Sequence, residues 1–140
     1  MRSKKMMTAY QNAERDAVAE SDDPHGLIAV LFDELVRTMR NYGAGIKDRS
    51  IKGSADSEQF SRAMTILYGL QSSLNFEEGG EIAENLFMLY EYARQQLLET
   101  ARTGQSDHIS TAIDAIETIR DAWRQIEKPR KVEAKGLVAE

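Results

Sequence analysis

The sequence predicts an all-α fold: an antiparallel up-down four-helix bundle with a short N-terminal helical arm and a frayed C-terminal tail. Four long segments carry apolar residues at helical spacing. The chain has 140 residues but only two prolines, and it is rich in helix-forming residues. The breaks between the segments are short and polar, and short connections make successive helices antiparallel neighbours.

The first helix of the bundle is predicted over 24–49. Asp23 is an N-cap candidate, and Pro24 suits the first helical position because no helical hydrogen bond is lost there. Its apolar residues recur every three or four positions, so they share one face and are expected in the core. These residues are Leu27, Ile28, Leu31, Leu35, Met39, Tyr42 and Ile46.

The second helix is predicted over 57–74, after a polar loop. Asp56 and Gln59 have the spacing of a capping box, which marks a helix start. The residues expected to face the core are Phe60, Ala63, Met64, Leu67, Leu70 and Leu74. After this helix, residues 75–80 contain two glycines and are interpreted as a turn.

The third helix is predicted over 81–103 and ends at Gly104, as helices often end at glycine. Its expected core stripe is Ile82, Leu86, Leu89, Ala93 and Leu97. The fourth helix is predicted over 107–127, and Pro129 stops it. Its expected stripe is Ile109, Ile113, Ile116, Ile119, Trp123 and Ile126.

Two terminal segments flank the predicted bundle of residues 23–127. Residues 1–22 form an arm with one short helix, whose stripe contains a single large residue, Tyr10. Such an arm docks weakly, because its ordering costs about as much as its burial contributes. Residues 128–140 mix charges with glycine and have no apolar period, so they are expected to be disordered.

The composition argues for a cytoplasmic protein. The chain has no cysteine, which fits a reducing compartment. Its apolar runs are too short to span a bilayer, and no apolar stretch follows the basic start as a secretory signal requires. A net charge of −5 and a pI near 5.2 disfavour binding to nucleic acid or to an anionic membrane.

The sequence gives little support to an enzyme or a cofactor protein. Di-metal bundles place a glutamate three residues before a histidine, but Asp22 precedes His25 and Gln105 precedes His108 at that spacing. Both histidines are therefore expected to be solvated surface residues. No nucleotide, nucleophile or metalloprotease motif occurs. A cluster of glutamates could suggest a cation site, and it consists of Glu77, Glu78, Glu81 and Glu84. Acidic residues near a helix start are favourable by themselves, however.

Apolar residues remain after the expected core is filled. On the third helix they make more than half of the circumference apolar, and on the second they flank the core stripe. Either a wide core or the N-terminal arm covers them, or they line grooves that receive a partner's amphipathic helices. With Tyr10 of the arm, the candidate binding residues are Ile66, Tyr68, Phe87, Tyr90 and Leu98.

These residues lie within a pattern that resembles the flagellar secretion chaperone family FliS, from Ala9 to about Ile126. The resemblance is carried by Thr8-Ala9-Tyr10, by Pro24-His25-Gly26-Leu27-Ile28-Ala29-Val30-Leu31-Phe32-Asp33, by Lys52-Gly53 with Phe60 to Leu70, by Leu74-Asn75-Phe76-Glu77 with Gly79 to Leu86, by Leu89-Tyr90-Glu91-Tyr92 and by Ala122-Trp123. The chain departs from the pattern at Glu34, where the family has glycine, and at Asn75, where it has aspartate.

The resemblance implies a chaperone that binds the C-terminal segment of flagellin, keeps it from assembling in the cytoplasm, and delivers it to the flagellar type III export gate. It also implies that Tyr10 occupies a groove when flagellin is absent. Two alternatives remain from the residues alone. One is a helical adaptor that binds an amphipathic segment of another protein, and the other is a metal-dependent bundle enzyme.

Overall fold

The computed structural model describes residues 23–48 and 58–126, most of which lie in four α-helices. The helices are α1 (Pro24–Lys47), α2 (Glu58–Ser72), α3 (Phe76–Thr103) and α4 (Asp107–Gln125). No strand occurs in these two ranges. The predicted all-α fold class is confirmed. The expectations for the N-terminal arm with Tyr10, for the capping role of Asp56 and for the C-terminal tail lie outside the described residues.

The four helices form a closed ring of neighbours around one core. Helix α1 packs against α2 and α4, and α3 packs against the same two helices. Contacts between α1 and α4 run in opposite directions along the chain: Trp123 meets His25, Arg124 meets Asp33 and Arg40 meets Glu117. Helices α1 and α4 are therefore antiparallel, and the short connections from α2 to α3 and from α3 to α4 make those pairs antiparallel as well.

The starts of α1 and α3 are fixed by side-chain caps. The N–H of Gly26 donates to Asp23 Oδ1 at 3.1 Å, and Pro24 follows the cap, so the predicted start of α1 is confirmed. At the start of α3, the N–H of Glu78 donates to Asn75 Oδ1 at 3.0 Å. These bonds satisfy donors that the first turn of a helix otherwise leaves without partners.

Residues 75–80 are not the simple turn that was predicted. Asn75 caps one helical turn, and only Gly80 leaves helical geometry, with φ 49° and ψ −124°. A positive φ of this kind is accessible to glycine but strained for other residues. Helix α3 therefore begins at Phe76, five residues before the predicted position of about 81, and is kinked at Gly80. It ends at Gly104, whose φ of 72° is the left-handed cap that was predicted.

The core is formed by buried residues of all four helices, including Phe32 and Tyr42 of α1. Four of the five residues predicted for the α3 stripe lie in the core or pack against it: Leu86, Leu89, Ala93 and Leu97. The prediction for Ile82 is wrong, because Ile82 is 70% exposed and its neighbour Ala83 is buried instead. The prediction for Ile126 is also wrong. Ile126 is exposed, because its backbone is already extended at the end of α4 and no longer follows the helical stripe.

Candidate functional site

A polar cluster joins α2 to α3 on the surface of the bundle. The side-chain amide of Gln71 donates to Glu91 Oε1 at 3.2 Å and to the carbonyl oxygen of Phe87 at 3.4 Å. Arg94 Nε donates to the same Glu91 oxygen at 3.0 Å, and Gln95 donates to the other oxygen at 2.9 Å. The hydrogen bonds from Arg94, Gln95 and Gln71 lower the pKa of Glu91 to about 2. The cluster therefore holds the two helices in one register.

Three predicted binding residues lie beside this cluster. On α3, Phe87 stands four residues before Glu91 and Leu98 seven after it, so the three share one flank of the helix. On α2, Tyr68 stands three residues before Gln71 and shares its side of that helix. All three predicted residues are exposed large hydrophobics.

Phe76 extends this apolar surface and was missed from the sequence. Its ring meets that of Phe87 edge to face, with centroids 6.0 Å apart and planes at 61°, a favourable aromatic geometry. Phe76 is 48% exposed. It was missed because residues 75–80 were interpreted as a turn, although an aromatic residue directly after an Asn cap was the available signal. We call Tyr68, Phe76, Phe87 and Leu98 the α2–α3 surface.

The other two predicted residues in the described ranges are buried. Ile66 has no exposed surface, and Tyr90 is 3% exposed. The Tyr90 ring lies 6.4 Å from that of Phe32 across the bundle, and burial raises the pKa of its phenol. The interpretation that these two side chains are surplus to the core is wrong. A partner could contact them only after other side chains move.

A second set of exposed side chains lies on the outward face of α3. Met88 and Tyr92 are exposed there, and Glu84 stands one turn before Met88. Met88 and Tyr92 were not among the predicted binding residues. The outward face of α3 therefore carries apolar and acidic side chains together.

His25 lies in a contact between α1 and α4. The ring of His25 stacks on Trp123, with centroids 4.5 Å apart and planes at 15°. The indole N–H of Trp123 donates to the backbone carbonyl of His25 at 2.9 Å. The expectation of a solvated role for His25 is therefore wrong, since it ties the start of α1 to the end of α4. Within 23–48 and 58–126, no three His, Cys, Asp or Glu side chains are grouped to share a metal ion.

None of the described helices has the length and apolar content needed to cross a bilayer. The described surface presents exposed aromatic and aliphatic side chains on a helix pair that side-chain hydrogen bonds hold together. Such a surface can bind another polypeptide without chemical change.

Comparison with known proteins agrees with this description. The sequence model of the family described as "Flagellar protein FliS" matches residues 6–130. The flagellar secretion chaperone FliS of Salmonella typhimurium is 35% identical over 123 residues, covering 84% of this chain and 87% of that protein. FliS of Vibrio cholerae is 26% identical over 120 residues, covering 86% and 87%. FliSB of Pseudomonas aeruginosa, also a flagellar secretion chaperone by name, is 26% identical over 130 residues, covering 88% and 96%. No solved structure showed significant similarity. The chain belongs to the FliS family of flagellar proteins.

Proposed function

We propose that this chain is a cytoplasmic chaperone that binds the C-terminal segment of flagellin on the α2–α3 surface. Binding keeps flagellin from polymerising and allows its delivery to the flagellar type III export apparatus. The observation that carries the proposal is the exposed aromatic pair Phe76 and Phe87, flanked by Tyr68 and Leu98. The family membership and the names of the relatives support the same role.

The α2–α3 surface suits an amphipathic helix. Its residues follow the flanks of two adjacent helices, and a partner helix can lay an apolar face along them. Burying a whole aromatic or aliphatic side chain contributes about 1.5–3 kcal/mol. Because part of each side chain is already buried in the free protein, each contributes about 1 kcal/mol on binding. The binding free energy then comes from several moderate contacts, which allows release at the export apparatus.

We extend the proposal to Tyr10, which lies outside the described residues. In this proposal Tyr10 covers part of the binding surface when flagellin is absent, and it yields or repacks when flagellin arrives. A chain lacking residues 1–20 then still folds as a bundle and binds flagellin at least as tightly as the full chain. Weaker flagellin binding by a folded truncated chain would show instead that the arm contributes directly to the complex.

Co-elution with purified flagellin tests the main proposal. The full chain is mixed with intact flagellin or with flagellin that lacks its C-terminal segment, and each mixture is separated by size-exclusion chromatography. We expect a complex only with intact flagellin. Equal binding to both forms contradicts the assignment of the segment, and no binding to intact flagellin favours an adaptor for another protein.

A further inference from the structure

Most of the exposed apolar side chains of α2 and α3, Leu98 excepted, lie in a part of the chain that has no positive charge. Between Arg62 and Arg94 the sequence contains no lysine, arginine or histidine but five glutamates. Six of the large exposed hydrophobics fall in this stretch: Tyr68, Phe76, Ile82, Phe87, Met88 and Tyr92. The charged side chains that this stretch offers to a partner covering these six residues are therefore all negative.

Four of these five glutamates are available to a partner. Glu91 is already held by Arg94, Gln95 and Gln71. The other four are exposed, and the described residues supply no ion-pair partner to any of them: Glu77, Glu78, Glu81 and Glu84.

Helical spacing places these carboxylates next to the apolar residues. Glu84 lies three residues before Phe87 and four before Met88, so it lies beside both on the surface of α3. Glu81 lies one turn before Glu84, and Glu77 follows Phe76 directly. The helix dipole favours acidic residues near a helix start whatever binds there, so the glutamates alone do not make a site. Their alternation with exposed apolar side chains is what determines the partner's chemistry.

We propose that the segment bound along α3, where the α2–α3 surface meets the outward face of that helix, is a basic amphipathic helix. Its apolar face covers Phe87 and Met88, and lysine or arginine side chains one turn from that face lie against Glu81 and Glu84. The inference rests on the proposed function for the existence of a helical partner, and it adds the charge of that partner. Opposite charges across an interface select the partner and increase the association rate.

Binding of matched peptides tests the inference. Two fluorescent helical peptides share one apolar face, which is flanked by lysines in one and by glutamates in the other. Anisotropy titrations with the full chain are run at about 50 mM and about 500 mM salt. We expect the lysine peptide to bind about tenfold more tightly at low salt and its advantage to shrink at high salt. Equal affinities, or no binding of either peptide, would overturn the inference.

Two double variants then locate the charges. Glu81→Gln/Glu84→Gln removes two carboxylates beside Phe87 and Met88. Glu58→Gln/Asp114→Asn removes two exposed carboxylates elsewhere, so both variants change the net charge equally. Only the first should lose the preference for lysine, with melting curves showing that both remain folded. Equal losses would assign the preference to net charge and overturn the inference.

The outcomes for flagellin are separate. Binding of flagellin without a preference for lysine overturns this inference and leaves the proposed function intact. A lysine preference that depends on Glu81 and Glu84, without binding of flagellin, supports the inference for another basic helix and overturns the proposed function.

Discussion

Phe87 and Tyr90 lie about one turn apart on α3, yet truncating each should affect different properties. Phe87 is 38% exposed and Tyr90 is 3% exposed. Full burial of such a side chain contributes about 1.5–3 kcal/mol, so the exposed part of Phe87 leaves about 1 kcal/mol to be gained when a partner covers it. We expect Phe87→Ala to weaken flagellin binding by at least this amount, about fivefold in Kd.

The same substitutions should have the opposite order of effect on stability. Tyr90→Ala removes a buried ring that contacts Phe32, and such truncations cost about 3–5 kcal/mol. This is a large part of the free energy of unfolding of a typical domain, about 5–15 kcal/mol. Phe87→Ala should cost about 1–2 kcal/mol, because the half-exposed ring makes fewer contacts than a buried one, among them its edge contact with Phe76.

Isothermal titration calorimetry with flagellin gives the affinities, and urea unfolding followed by circular dichroism gives the stabilities. The matched pair makes the test internal, because both variants remove an aromatic ring from the same helix. The reasoning is refuted if Phe87→Ala lowers the free energy of unfolding as much as Tyr90→Ala does, or if it leaves flagellin affinity unchanged.

Three further predictions concern stability. Trp123→Phe keeps an aromatic ring on His25 but removes the N–H that donates to the His25 carbonyl. Urea unfolding should therefore show that the free energy of unfolding falls by about 0.5–1.5 kcal/mol. An unchanged value would show that solvent replaces this hydrogen bond. Because the pKa of Glu91 is lowered from 4.5 to about 2, its contribution to the free energy of unfolding is complete above pH 4.5 and is lost as the pH falls toward 2. The stability advantage of the wild type over Glu91→Gln should therefore shrink across this interval. A constant difference would contradict the role of the carboxylate. Gly80→Ala places a Cβ in open space but at a backbone φ of 49°. It should therefore lower the free energy of unfolding by about 1–2 kcal/mol through backbone strain alone. A neutral result would mean that the kink straightens without cost.

The fold was predictable because local signals and apolar periodicity agreed along most of the chain. In α1, the Asp23 cap, Pro24 and the apolar stripe all indicate the same start and the same inward face. At the start of α3 the signals conflict, since Gly79 and Gly80 suggest a turn while Asn75 caps a helix. The turn predicted from the two glycines was wrong, because one residue with positive φ can kink a helix without ending it.

The exposure of Ile82 and the burial of Tyr90 on α3 could not be obtained from hydrophobicity alone. Its buried positions include Ala83, Tyr90, Ala93 and Leu97, spaced by seven, three and four residues as in packing between antiparallel helices. The prediction favoured the larger Ile82 over its neighbour Ala83, and it left Tyr90 out of the core although Tyr90 is buried there beside Leu89. Which of two adjacent apolar residues turns inward depends on how closely the neighbouring helices approach, and a single sequence does not contain that distance.

Three of the five predicted binding residues in the described ranges are exposed, and the other two are buried by the packing of neighbouring helices. Tyr68, Phe87 and Leu98 are exposed on one side of α2 and α3, as expected for residues beyond the core stripe. Ile66 and Tyr90 are buried, since the core is wider than one stripe on each helix. Counting apolar residues therefore detected the excess correctly, but only the packing of the helices determines which of them reach the surface.

The stacking and the hydrogen bond between His25 and Trp123 have a practical consequence for labelling. They bring residues 23 and 126, where the described part of the chain begins and ends, to one pole of the bundle. The antiparallel order places Phe76 at that pole too, whereas the turn at Gly104 lies at the opposite pole. A label on a side chain substituted at either of these two positions is thus held near Phe76 and can obstruct the α2–α3 surface. A probe inserted at residues 104–106 reports on the same molecule from the far side.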